Sequence, residues 1–167
     1  MHNELTQGDL ELMQKELDDR RIRLRPLLLE EVKTARAFGD LSENFEYKAA
    51  KREKNKNESR IRYLENMIKT ARVVAGNTDP DVVGLYDFVT VYLEEDEEEV
   101  VYQMVTTVRQ DPLQNRISNR SPFGVAVLGK KAGDRVWVQV NDSYGYFVVI
   151  RAIRKGEDDP NIPINSF

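Results

Sequence analysis

The chain of 167 residues can hold one domain or two small ones, and a charged fraction of 32% beside 40% hydrophobic residues predicts a large solvated surface. It contains no cysteine, which excludes disulfides, thiolate catalysis and zinc–thiolate sites. The net charge is −4, but the first 75 residues carry 16 Lys and Arg against 14 Asp and Glu. The basic excess therefore lies in the N-terminal half.

The N-terminus has neither a basic start nor an apolar run, so we expect no signal peptide. No apolar stretch approaches the roughly 20 residues of a membrane span. We therefore expect a cytoplasmic protein without a membrane partner, and no role for the single histidine, His2.

The first segment, from Leu10 to Ala35, carries apolar residues mostly at spacings of three, four or seven. This spacing is typical of a helix with one apolar stripe, and Thr6 or Asp9 could cap its start. Pro26 interrupts the stripe, which resumes at once. We therefore expect this proline to bend the helix rather than end it.

A second helix is predicted from about Ser42 to Val74. Ile61, Leu64 and Ile68 step by three and four, as in the seam of a coiled coil. Residues 51–58 are almost wholly polar, so pairing should loosen toward the turn. The two helices predict an antiparallel hairpin, a finger over residues 1–75.

After a linker at 76–80, β-branched and aromatic residues become frequent. Their runs predict four strands, at 87–93, 100–105, 135–140 and 146–150. Ser121 as N-cap and Pro122 at the first helical position predict a short helix over 123–128. Residues 81–154 are thus predicted to form a small α+β domain with an antiparallel sheet.

Two further stretches of this half are charged or irregular. The acid run Glu94–Glu99 lies between two predicted strands and predicts a solvated hairpin loop. The tail at 155–167, with two prolines and three acids, is predicted to be loosely ordered.

The stretch 39–47 lies at the turn of the finger, with the acids Asp40, Glu43 and Glu46 at spacings of three. Asp40 and Glu43 have the spacing of a capping box, and their charge suits a helix N-terminus. The alternative is a hard-cation site, because Mg²⁺ commonly takes one or two protein carboxylates and completes its shell with phosphate oxygens. Such a pair becomes useful when a partner supplies the remaining ligands.

Basic residues border this turn on both sides. Arg36 precedes it, and a run follows it: Lys48, Lys51, Arg52, Lys54 and Lys56. They can form a solvated helix face or contact a phosphate backbone, and spacing leaves both interpretations open.

Gly39-Asp40-Leu41-Ser42-Glu43-Asn44-x-Glu46-Tyr47 resembles the tip signature of the bacterial Gre-type transcript cleavage factors, the GreA/GreB family of transcription elongation factors. The resemblance returns at Ser121-Pro122 and at Leu128-Gly129-Lys130-x-x-Gly133-Asp134. It covers roughly residues 5 to 153 in matching order. It implies an α+β protein with an N-terminal antiparallel coiled-coil hairpin and a C-terminal FKBP-like domain.

The family resemblance also implies a function. The globular domain would dock at the rim of the secondary channel of bacterial RNA polymerase, and the finger would enter the channel. Its tip acids would help to hold the second Mg²⁺ of the polymerase, and backtracked RNA would be cut near its 3′ end. The protein would then be a monomeric accessory factor and not itself an enzyme.

Residue by residue, the resemblance implies four roles. Asp40 and Glu43 would be the metal-assisting acids, while the tip would be shaped by Gly39, Ser42 and Asn44. The residues that would contact RNA or the channel walls are Arg36, Lys48, Lys51 and Arg52. Docking on the polymerase would involve Ser121 and Pro122.

The chain departs from the family pattern near the docking motif. Arg120 stands where the family more often has Asp or Asn, and Val125 stands where a basic residue is frequent. Three alternatives remain open at this point: a channel-binding inhibitor of the same architecture, a prolyl isomerase suggested by the FKBP-like domain alone, and a coiled-coil adaptor. The sequence does not distinguish the subtype that releases short RNA fragments from the one that releases longer fragments.

Overall fold

A computed structural model of the chain describes residues 3–39 and 44–166. The described residues form two compact units. The first extends over residues 9–72, and the second combines Glu4–Gly8 with Val73–Ser166. The first unit is a helical hairpin and the second contains a five-stranded sheet with one short helix, so the predicted α+β class is confirmed.

The first arm of the hairpin is an α-helix with a π-helical insert. It consists of α1 (Gln7–Asp19), a π-helical segment (Arg20–Leu24) and α2 (Arg25–Arg36). The N–H of Arg25 donates to the carbonyl of Arg20, five residues earlier. Pro26 follows directly, and in an α-helix its ring would clash with the carbonyl four residues before it. The wider turn therefore admits the proline, and the helix continues as predicted.

The second arm is a single helix, α3 (Phe45–Thr70), whose 26 residues span about 39 Å. It begins later and ends earlier than the sequence predicts. Ile61 and Leu64 are buried as expected, and Met67 is more buried than the predicted seam residue Ile68.

A polar layer is buried within the hairpin where the sequence predicts loose pairing. The Arg60 side chain is 7% exposed and donates to Glu16 at 2.7 Å and 3.1 Å. Arg20 donates to the same carboxylate and to the Oδ1 atom of Asn57, whose side chain is also buried. A buried polar residue is tolerated when its hydrogen bonds are satisfied, and it favours one register of the two helices.

This layer makes the hairpin sensitive to acid. Burial alone would raise the pKa of Glu16, but hydrogen bonds from Arg60 and Arg20 and their charges outweigh it and lower the pKa below its ordinary value of 4.5. A carboxyl with a lowered folded pKa contributes stability above its unfolded pKa, and this contribution disappears as pH falls through the folded pKa.

We therefore expect Glu16→Gln to reduce hairpin stability by about 1–3 kcal/mol at pH 7, because three charged hydrogen bonds from Arg60 and Arg20 are weakened. The difference from the parent chain should shrink as pH falls below 4.5 and through the lowered folded pKa of Glu16. Urea unfolding followed by far-UV circular dichroism measures it. Glu11→Gln, on an exposed position of α1, is the matched control. A difference that stays constant with pH would exclude this role for Glu16.

Two short strands lie at the ends of the hairpin arms, β1 (Asn3–Leu5) and β2 (Ala71–Val73), and they form a two-stranded sheet. The sequence predicts neither strand. The N–H of Val74 donates to the carbonyl of Leu5 at 2.9 Å, which attaches the N-terminal segment to the second unit.

The second unit is built on a five-stranded sheet. Its strands lie in the order β5-β4-β3-β7-β6, where the ranges are β3 (Phe88–Leu93), β4 (Glu98–Val105), β5 (Arg116–Ser118), β6 (Arg135–Gln139) and β7 (Gly145–Arg154). Neighbouring strands are antiparallel except β4 and β5, which are parallel. The four predicted strands are present, whereas the three-residue β5 is not predicted.

One face of the sheet forms the core with α4 (Pro122–Val127). Val89 and Val91 alternate with less buried neighbours along β3, as a half-buried strand requires. Phe123 of α4 packs on Tyr102 with ring centroids 4.9 Å apart. A Cβ atom on Gly124 would lie 2.1 Å from the carbonyl oxygen of Ser118, so only glycine allows this close approach of helix and strand.

The tail, predicted to be loosely ordered, contacts the second unit at several points. Lys155 forms an ion pair with the buried Asp87, and the side chain of Ile162 is buried. Asp158 lies 2.7 Å from the guanidinium of Arg109, whose side chain is fully buried. Residues 155–162 are thus part of the packed unit.

Candidate functional site at the hairpin turn

The turn of the hairpin contains the two predicted metal-assisting acids. Asp40 and Glu43, and also Ser42, lie outside the described residues. The structure describes both flanks of this stretch. α2 ends at Arg36, and Gly39 has a φ of 129°, a backbone conformation that favours glycine.

The cap of α3 is Asn44. Its Oδ1 atom accepts a hydrogen bond from the N–H of Tyr47 at 2.9 Å, as an N-cap does. The sequence also allows Asp40 and Glu43 as a capping box, but Asn44 already fills the capping role at the start of α3. The start of α3 therefore does not require Asp40 or Glu43 as its cap.

Asn44 also closes the turn. Its Nδ2 atom donates to the carbonyl of Ala35 at 2.8 Å, which links the start of α3 to the end of α2. One side chain thus caps the second arm and fixes it to the first. This geometry provides a physical reason for an asparagine at the tip.

A second link across the turn joins Arg36 and Tyr47. The guanidinium of Arg36 lies 5.4 Å from the centre of the tyrosine ring and donates to its hydroxyl at 3.2 Å. This hydrogen bond and the charges of Arg36, Lys51 and Lys54 lower the pKa of Tyr47. Cations among the described residues therefore act on the Tyr47 hydroxyl. No sequence pattern indicates a role for Tyr47, because its pairing with Arg36 depends on the geometry of the turn.

The ion pairs of the hairpin are concentrated away from the turn. Among described residues, they join positions 16–25 with one another or with positions 58–65. The predicted contact residues are exposed and take part in none of them: Arg36, Lys48, Lys51 and Arg52. Exposed cations without carboxylate partners favour contact with a polyanion.

The donor set at the turn suits half of a magnesium site. Two carboxylates are hard oxygen ligands, and Mg²⁺ needs further oxygens that a partner or a phosphate can supply. Within residues 3–39 and 44–166, no group of three or more acidic or histidine side chains is placed to hold a metal ion. Two tip carboxylates would leave most coordination positions of the ion to other ligands.

The predicted docking residues lie in the second unit. Ser121 caps α4 by accepting from the N–H of Gly124 at 3.0 Å, and its hydroxyl donates to the carbonyl of Ser118 at 2.7 Å. Pro122 opens the helix, as predicted. Val125, on the same helix, is 65% exposed, and this position is available to a partner.

Within the described residues, no helix combines the length and the apolar character needed to cross a membrane.

Comparison with known proteins covers nearly the whole chain. Residues 3–73 match the family "Transcription elongation factor, N-terminal", and residues 77–155 match "Transcription elongation factor, GreA/GreB, C-term". The chain is 40% identical over 151 residues to the transcription elongation factor GreA of Clostridium botulinum (strain Hall), a match that covers 90% of this chain and 94% of that protein.

A GreA protein of Clostridium kluyveri is 38% identical over 151 residues, with 90% and 95% of the two chains covered. Among solved structures, the fold resembles that of GreA factor homolog 1 (Gfh1) of Thermus thermophilus, with a TM-score of 0.43 and 24% identity. This match covers 93% of this chain and 100% of the other.

Proposed function

Because this chain belongs to the GreA/GreB family of transcription elongation factors, we propose that it inserts its hairpin turn into the secondary channel of RNA polymerase. There it would stimulate the Mg²⁺-dependent cleavage of backtracked nascent RNA near its 3′ end and so rescue arrested complexes. One observation carries the proposal: Asn44 caps α3, so the start of this helix does not require the carboxylates of Asp40 and Glu43.

Asp40 and Glu43 would hold the second magnesium ion jointly with the polymerase. In two-metal sites, bound Mg²⁺ lowers the pKa of the attacking water and stabilises the phosphate oxygens. The nuclease centre belongs to the polymerase, so the chain supplies ligands and positioning and acts as an accessory factor.

The exposed cations would hold the RNA beside these acids. This role would fall to Arg36, Lys48, Lys51 and Arg52, which form no ion pair with a carboxylate among the described residues. The Arg36–Tyr47 contact holds one of these charges close to the turn.

Docking would use the segment around Ser121 and Pro122. Since the Ser121 hydroxyl is bonded within the domain, it acts by fixing the start of α4 rather than by reaching a partner. Arg120 lies 3.7 Å from Glu4 and is 56% exposed, while the exposed Val125 adds an apolar contact on the same helix. These two departures from the family pattern would adjust the docking contact.

The direct test uses elongation complexes of bacterial RNA polymerase that are stalled and backtracked. We expect addition of the full chain with Mg²⁺ to release short RNA fragments that carry the original 3′ end, and to restore elongation. Sizing these fragments on a denaturing gel also assigns the cleavage subtype. Inhibited elongation without fragment release would instead identify a channel-binding inhibitor and overturn the proposal.

A further inference from the structure

Two phenylalanines border the hairpin turn with their rings in solvent. Phe38 is 73% exposed and Phe45 is 81% exposed. Phe45 is the first residue of α3, where Asn44 supplies the cap, and Phe38 follows the end of α2. The links that close the turn, through Asn44 and through Arg36–Tyr47, involve neither ring. The hairpin therefore does not need these aromatic side chains for its own packing.

Both rings lie in a positively charged setting. The ammonium of Lys48 is 5.8 Å from the centre of the Phe45 ring. Besides the two tip acids, positions 33–56 hold seven lysines and arginines and only two glutamates in the described part of the chain. A protein surface with exposed rings among exposed cations complements a chain of phosphates that carries flat, unpaired bases.

Single-stranded nucleic acid is bound in this way by many proteins, through cations that follow the backbone and aromatic rings that stack on bases. We propose that Phe45, assisted by Phe38, stacks on unpaired bases of the extruded RNA 3′ segment. The ligand is thus single-stranded RNA, recognised by the faces of its bases and not by their sequence. This inference rests on the proposed function, because the polymerase delivers that RNA to the turn.

The test compares the parent chain and Phe45→Ala on two backtracked complexes. One carries ordinary RNA, and in the other the extruded nucleotides are abasic. On ordinary RNA, we expect Phe45→Ala to raise the factor concentration for half-maximal cleavage about 5- to 50-fold, the usual effect of losing one stacked base. On abasic RNA, where no base can stack, the same substitution should change the concentration for half-maximal cleavage by less than about twofold.

Matched variants define the chemistry. Phe45→Trp keeps an aromatic face, so its concentration for half-maximal cleavage of ordinary RNA should remain within about threefold of that of the parent chain. Phe45→Leu keeps an apolar side chain without an aromatic face and should lose most of the affinity that stacking provides. Ile22→Ala removes another exposed apolar side chain of the hairpin, 76% exposed, and should have no effect. Far-UV circular dichroism of each variant confirms that the hairpin is retained.

If Phe45→Ala raised the concentration for half-maximal cleavage equally on ordinary and abasic RNA, Phe45 would contact the polymerase. This result would overturn the stacking proposal. No loss on either RNA would overturn it as well. Fluorescence anisotropy of the labelled factor measures its affinity for both complexes without requiring cleavage, so stacking by Phe45 can be tested apart from the cleavage function. If the parent chain binds without releasing fragments, the proposed function fails, while the base-dependent loss of affinity still decides whether Phe45 stacks.

Discussion

The double substitution Asp40→Asn with Glu43→Gln should lower the rate of RNA cleavage in a backtracked complex by about 10²- to 10³-fold. Removing one group that stabilises charge in a transition state commonly costs this much. Both substitutions keep the size of the side chain but remove the negative charge that favours a divalent cation. Single-turnover cleavage at saturating factor measures the effect, and the affinity of the factor for the complex should change little.

Glu46→Gln is the control for this prediction. Glu46 lies in the first turn of α3, is exposed and loses the same charge on substitution. We expect it to change the cleavage rate less than about threefold. The helix content of the double variant should equal that of the parent chain, because Asn44 provides the cap. Intact cleavage by the double variant would rule out the metal-assisting role of Asp40 and Glu43.

The substitution Asp158→Ala should destabilise the second unit by about 3 kcal/mol, since it removes a carboxylate that forms an ion pair with the buried guanidinium of Arg109. The Nη2 atom of Arg109 lies 2.7 Å from Asp158 Oδ1, an ion pair without the alignment of a good hydrogen bond. Arg109 retains its hydrogen bond to the carbonyl of Asp159 at 2.7 Å, so the loss falls at the lower end of the range for buried pairs.

Thermal unfolding followed by the fluorescence of Trp137 reports on this unit, because Trp137 is the single tryptophan and lies in β6. A loss of about 3 kcal/mol corresponds to a drop in Tm of roughly 6–12 °C at this chain length. The matched control is Glu157→Ala, which removes an equal charge at the adjacent exposed position and should shift Tm by less than about 2 °C. Equal shifts for the two variants would mean that the pair with Arg109 does not stabilise the unit.

Local signals predict much of this fold. β3 is predictable because β-branched and aromatic residues are frequent over 87–93, and α4 because Ser121 and Pro122 are typical residues of a helix start. The hairpin is predictable from its apolar spacing. These features depend on residues close in sequence, where periodicity and capping preferences decide the structure.

The features that the sequence does not predict depend on distant partners. Arg60 and Asn57 are buried because residues of the other arm satisfy their hydrogen bonds. Arg60 donates to Glu16, 44 positions away, and Asn57 accepts from Arg20, 37 positions away. Asp158 is ordered by Arg109, and no local pattern indicates that pair. The cap of α3 is local, but Asp40 and Asn44 are both good capping residues, so sequence alone does not decide between them.

The roles of the site residues remain predictions that rest on family resemblance. Spacing alone is compatible with a capping box at Asp40 and Glu43, and only the position of α3 removes the need for one. The exposed rings of Phe38 and Phe45 had a signal in the sequence, aromatic residues among cations, but their exposure is known only once the turn is folded.

The π-helical segment at Arg20–Leu24 has a consequence for how hairpins of this kind can vary in length. A π turn holds one residue more than an α turn, so the first arm carries a residue that an unbroken α-helix would not need. A homologue without Pro26 could delete that residue, return to α-helix and still present Val32 and Ala35 to α3. The segment is thus a place where a one-residue insertion or deletion is absorbed without displacing the turn.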